Sequence, residues 1–190
     1  IMMSVITNSY GNVVGSFFNA KIQRHIEEML VSPMDETSIV IGYLAGGIIR
    51  GLFVATVVSF IALFFTELNI KYPLLALLVI IMTASVFSLA GLINAIFAKK
   101  FDDIAVIPSF VLAPLTYLGG VFYTVSLLPE FWQTVSRLNP ILYMVNSMRY
   151  SVLGTSDIEI MDGLLMISGF FILLLSVAVY LLKKGIGIRD

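Results

Sequence analysis

From Tyr72 to Ala98 the chain runs for 27 residues without a charge. Coiled as a helix, that run is about 40 Å long, more than the roughly 30 Å hydrocarbon core of a bilayer. A chain carrying it belongs in a membrane. It must also be helical there, because lipid offers backbone polar groups no partners except their own. The run is repeated along the sequence. Ile1–Ala20 carries no charge, Thr37–Thr66 is broken only by Arg50, and Gly163–Leu182 is an uninterrupted run of 20 residues. Ile104–Pro129 is also charge-free, although Pro108, Pro114 and Gly119-Gly120 interrupt it with backbone that kinks helices. The pattern predicts an all-α integral membrane protein with spans at about 1–19, 42–65, 73–98, 104–124 and 163–182. Charged residues make up 12% of the chain, about half of what a soluble domain carries.

The same residues exclude several kinds of chemistry. The net charge of −1 and the lack of a basic patch give no footprint for nucleic acid. There is no cysteine, hence no disulfide and no thiolate metal site. No GxxxxGK[ST] phosphate loop, HExxH or GxSxG motif occurs, and His25 is the single histidine. No cofactor, metal or catalytic site is therefore expected on this chain. An ion-driven carrier would place acidic groups inside its spans, and these spans hold none. The sequence describes a membrane path without its own energy source.

The densest charge lies in Asn19–Ser38, with Lys21, Arg24, His25, Glu27, Glu28, Asp35 and Glu36. Ile22, Ile26, Met29 and Leu30 recur at i, i+4, i+7 and i+8, one face of a helix. Ser32-Pro33 ends that helix and suits the start of the next, with Ser32 as N-cap, Pro33 in the first helical position and Asp35 where a capping box takes an acid. Two readings fit this segment, 20–38: a docking element for a soluble partner, or an amphipathic helix lying at the lipid headgroups.

Within the spans, Ser4, Asn8, Asn12, Ser16 and Asn19 form a polar stripe along the first stretch. It should face protein or a wet pathway rather than lipid. Gly42/Gly46 and Gly47/Gly51 are small-xxx-small pairs that permit close helix approach. Arg50, read as about two turns from the charged corner, would either snorkel to that interface or line a polar cavity. After Gly120 the pattern predicts two short helices, Pro129–Leu138 and Ile141–Leu153, separated by Asn139-Pro140 and stopped by Gly154. Aromatic residues gather there as they do at a membrane boundary. Region 124–154 thus reads as two helices dipping into the interface, or as a hairpin on its surface. Alternation puts Lys21, Arg24, Lys99, Lys100, Lys183, Lys184 and Arg189 on one side, against Lys71, Arg137 and Arg149 on the other. The positive-inside rule makes the first side cytoplasmic. Ile1 then emerges outside, and the absence of a start methionine or basic n-region leads us to expect a further span upstream.

Three stretches together carry a resemblance: Ile26–Pro33, Phe97–Trp132 and Leu138–Gly154. In them the sequence resembles the membrane subunit of bacterial ABC-2 type transporters, a family of drug and saccharide exporters. The resemblance implies one transmembrane domain over 1–190, with six spans of which the first lies outside this sequence. It implies a cytoplasmic coupling helix on Lys21–Val31 that docks into a separate ATPase, with Glu28 matching the family's acidic position before the proline. It also implies two re-entrant helices on the outer side, at Ser126–Leu138 and Pro140–Leu153. ATP would be bound by the partner, and the permease would pair with a second copy or a paralogue. Expected partner contacts are Ile22, Ile26, Glu27, Glu28, Met29, Leu30 and Pro33. Asn8, Asn12, Arg50, Tyr117, Gly119, Gly120 and Tyr123 are candidates for lining the path or packing helices. The function implied is export across the bacterial inner membrane. An ABC-2-like role in assembly or remodelling, and a scaffold or channel needing no ATPase, are the alternatives.

Overall fold

The computed structural model describes residues 1–31, 34–66, 70–121 and 129–187. Among them all regular structure is helical. In chain order these are α1 (Met2–Ile22), α2 (His25–Val31), α3 (Glu36–Ala62), α4 (Pro73–Phe97), α5 (Phe101–Ile107), a π-helical turn (Pro108–Leu112), α6 (Ala113–Leu118), α7 (Glu130–Arg137), α8 (Pro140–Leu153) and α9 (Ile160–Lys184). α3, α4, the run Phe101–Leu118 and α9 are long and apolar enough to cross a membrane. α1, at 21 residues, has the length but not the composition, because its polar stripe lowers its hydropathy.

α4 is the centre of the bundle. It buries residues on nearly all sides, from Ala76 and Val79 through Leu89, Leu92 and Ile96. α1 lies against it with Val5, Ile6, Tyr10, Val13, Phe17 and Phe18 turned inward. Lipid is as apolar as leucine, so helices in a membrane associate through close packing and a few polar bonds. Both occur here. A Cβ on Gly91 of α4 would lie 2.7 Å from the Tyr10 carbonyl oxygen, so only glycine allows α1 this near. On α3, a Cβ at Gly47 would strike Ser88 and lie 2.8 Å from Val13 Cγ2, and one at Gly51 would strike Ser9 and lie 2.9 Å from Ala84 Cβ. Gly47 and Gly51 thus bring three helices together. Gly42 and Gly46 do not: Gly42 faces open space and Gly46 meets only the Asn12 amide, at 3.7 Å. Between α1 and α4, Asn94 Nδ2 donates to the Tyr10 hydroxyl at 2.6 Å, both groups buried.

Pro108 interrupts the α-helix of the fourth apolar run. Pro108 cannot donate to the ladder, and its ring presses on the preceding turn. The helix widens into a π turn at Pro108–Leu112 and resumes at Ala113. It ends at Leu118, short of the predicted 124, where Gly119 and a left-handed Gly120 take over. Asn139 caps α8 by accepting from the Ile141 amide at 3.0 Å, and Gly154 closes it at φ 76°. α8 is no surface hairpin. Ile141, Leu142, Met144, Asn146, Ser147 and Met148 are buried where it packs on α4 and α9. α7 does lie at the surface, with Phe131 at 70% and Leu138 at 77% exposure.

Candidate functional site: the α2 corner and the polar furrow

The docking segment differs in detail from its prediction. α1 continues through Ile22, and the break comes at Arg24, whose φ of +62° turns the backbone left-handed. α2 then begins at His25 rather than Lys21. The turn rotates the expected apolar face. Ile26 is 1% exposed and packs into this chain's own core, while Ile22 is 52% exposed. Glu27, Glu28, His25 and Val31 are exposed, and Met29 is half-buried. Glu27 and Glu28 fall in the first turn of α2, where carboxylates favour the helix dipole. The Leu30 side chain, Ser32, Pro33 and Tyr123 lie outside the described residues. α3 starts at Glu36, so its N-cap is Asp35 in extended conformation and not Ser32. The Thr37 hydroxyl beside it holds the Asp35 carboxyl below the ordinary carboxylate range.

Lys21, expected at the start of the coupling helix, instead lies in the last turn of α1 and ties this corner to the bundle. Its Nζ donates to the carbonyls of Ile96 at 2.6 Å and Ala98 at 2.9 Å. The Ile96 carbonyl is among the last four of α4, which have no partner within the helix, and a cation there also meets the negative end of its dipole. The end of α9 folds onto the same carbonyl, since a Cβ on Gly187 would lie 2.7 Å from it.

Further along the outer surface of the bundle, α1 and α3 frame an open polar furrow of ≈ 380 Å³. Thr7, Asn8, Asn12, Ser16 and Asn19 of α1 line one wall, with Gly11 and Gly15 leaving room between them, and Arg50 of α3 lines the other. Arg50 is not near the corner as expected. α3 runs unbroken from Glu36, so Arg50 stands 14 residues in, about 21 Å along the helix.

At the far end Arg149 donates to the Gly120 carbonyl at 2.9 Å and pairs with Asp157 at 3.0 Å. Asn139 Nδ2 donates to the Leu115 carbonyl at 2.6 Å. These bonds fasten the end of α6, where Tyr117 is exposed and Gly119 and Gly120 are buried, onto α8. A Cβ on Gly119 would lie 2.6 Å from Ile141 Cγ2, so that glycine serves packing. A wider cleft of ≈ 760 Å³, bounded by Arg137, Tyr143, Asp157, Glu159 and Asp162, lies at this end between α7, α8 and α9.

The sequence model of the ABC-2 type transporter family matches residues 1–153. The chain belongs to that family. It is 49% identical over all 190 residues to the inner membrane transport permease YadH of Escherichia coli strain K12, of which it covers 74%. It is 23% identical over 146 residues to Nodulation protein J of Rhizobium leguminosarum bv. viciae, covering 77% of this chain and 56% of that protein. A Sinorhizobium fredii Nodulation protein J is 25% identical over 150 residues, 79% of this chain and 57% of the relative. No solved structure matches. Membership makes the chain a membrane transport permease of an ABC-2 type transporter.

Proposed function

We propose that this permease is the membrane subunit of an ATP-driven exporter of the bacterial inner membrane, and that α2 is where a separate ATPase docks. The observation that carries the reading is α2 itself: a seven-residue helix between the 21-residue α1 and the long apolar α3, with two exposed carboxylates and one apolar residue rooted in the bundle. The described basic residues support the orientation. Lys21, Arg24, Lys99, Lys100, Lys183 and Lys184 lie at the α2 end, and Lys71, Arg137 and Arg149 at the other. By the positive-inside rule the α2 end is cytoplasmic. The name of the Escherichia coli relative supports the inner membrane as its location.

In this mechanism Ile26 anchors the docking helix while Glu27 and Glu28 face the ATPase. ATP binding draws two ATPases together and displaces the α2 helices of two permease copies. Lys21 passes the displacement to α4, the helix against which α1, α3, α8 and α9 all pack. Work is done only if the two ATPase states prefer different permease states, since equal affinity shifts nothing.

The test is purification of the full-length permease in mild detergent with its ATPase, wild type and Glu28→Arg. Wild type should retain a stoichiometric ATPase and the variant should lose most of it. Equal retention would remove Glu28 from the contact. A permease dimer that transports with no ATPase bound would overturn the reading.

A further inference from the structure

We infer that the furrow between α1 and α3 recognises an anionic group, a phosphate or carboxylate on an amphipathic molecule, with Arg50 as its charged contact. The inference rests on the reading of the chain as a permease and names the class of its cargo.

Arg50 is at the middle of α3, about 21 Å from one end and about 18 Å from the other. An arginine side chain reaches roughly 7 Å, so it cannot bring its charge to either interface by snorkelling. An arginine at that depth is costly unless something pairs with it. Arg50 is exposed on the flank of this chain, and among the described residues it has no hydrogen bond and no ion pair, and no carboxylate lines the furrow.

The facing wall is made of hydrogen-bonding groups that are partly uncommitted. The Thr7 hydroxyl donates to the Met3 carbonyl, Ser16 to Asn12, and Asn8 Nδ2 to Ser4, all within α1. The side-chain amides of Asn12 and Asn19 have no partner among the described residues. The Asn12 amide sits over Gly46, one turn from Arg50 on the same face of α3. Free N–H donors therefore accompany a free guanidinium. A guanidinium fork matches the two oxygens of a carboxylate or phosphate, and the amides can complete such a site. The stripe from Thr7 to Asn19 spans 12 helical rises, about 18 Å, so the furrow suits a headgroup with an attached chain better than a small free ion.

The experiment is thermal unfolding of the full-length permease in a neutral detergent, titrated separately with octyl phosphate, octyl glucoside and inorganic phosphate. Octyl phosphate should raise the melting temperature of wild type, and neutral octyl glucoside should not. Arg50→Gln should weaken the octyl phosphate effect by about tenfold or more, and Arg50→Lys should keep part of it. Asn12→Asp retains Arg50 and supplies an internal carboxylate, so it should abolish the response while leaving the protein folded. A response to octyl phosphate alone assigns the site to an amphiphile headgroup; an equal, Arg50-dependent response to inorganic phosphate keeps the anion site but overturns its assignment to an amphiphile. No response in wild type, or one unchanged in both Arg50→Gln and Asn12→Asp, overturns the inference. No ATPase enters this assay, so its failure leaves the docking reading intact, and loss of ATPase association leaves this result intact.

Discussion

Replacing Lys21 by methionine should separate ATP hydrolysis from transport. The side chain would keep its apolar stem and lose two donations, to the Ile96 and Ala98 carbonyls at 2.6 and 2.9 Å. Hydrogen bonds to charged groups contribute about 1.5–3 kcal/mol each in water-soluble proteins, but interhelical bonds in membrane bundles average about 0.6 and reach about 1.7. Lys21 is only half-buried at a helix end, where water competes for the ammonium, so the lower range applies. Two bonds then amount to about 1–3 kcal/mol. Equilibrium unfolding in mixed micelles should show a loss of that size. Lys21→Arg should restore most of it, because a guanidinium can also reach paired carbonyls. The assembled complex should keep basal ATPase turnover with Lys21→Met, since α2 and its carboxylates are untouched, while transport per ATP falls. A change in unfolding free energy below about 0.3 kcal/mol, with transport unaltered, would refute the claim that this contact carries force from the corner to α4.

Further variants probe the packing that holds the furrow and its ends. Gly91→Leu should destabilise the bundle by about 1–3 kcal/mol or more, because its Cβ would meet the Tyr10 backbone oxygen, which cannot move without moving α1. Unfolding of the purified permease measures this; a neutral result would contradict the α1–α4 approach. Arg149→Met should release the Gly120 carbonyl and Asp157. The expected result is faster proteolysis or hydrogen exchange around residues 118–121 and 155–158, with α2 and ATPase association unaffected.

Much of the architecture follows from where charges are missing. The 27-residue run at Tyr72–Ala98 becomes the 25-residue α4, and the turn chemistry of Asn139-Pro140 and Gly154 sets the bounds of α8. Charge-free length and caps are local properties, so a sequence displays them. Rotation about a helix axis is not local. The spacing of Ile22, Ile26 and Met29 assumes one continuous helix, but the left-handed Arg24 inserts a turn and sends Ile26 inward and Ile22 outward. Nothing in the residue types around Arg24 marks that turn. The partners of Lys21 lie 75 and 77 residues away, and Arg149 and Asn139 reach across to the backbone carbonyls of Gly120 and Leu115, which carry no sequence signal at all. Asn94 could have been found: an amide in an otherwise apolar run must have a partner, and here it is Tyr10. For the same reason the stripe Asn8–Asn12–Asn19 pointed to a polar surface. That Arg50 faces it depends on how α3 rotates to pack Gly47 and Gly51 against α1 and α4, which is a non-local property.

The central claim, that α2 is where an ATPase docks, is tested most directly by photo-crosslinking in cells. A benzophenone amino acid placed at Glu28, exposed on α2, should give an adduct of permease and ATPase, and one placed at Phe131, exposed on α7 at the other end, should give none. Equal adducts from both positions, or none from Glu28 while the ATPase still co-purifies, would contradict the account.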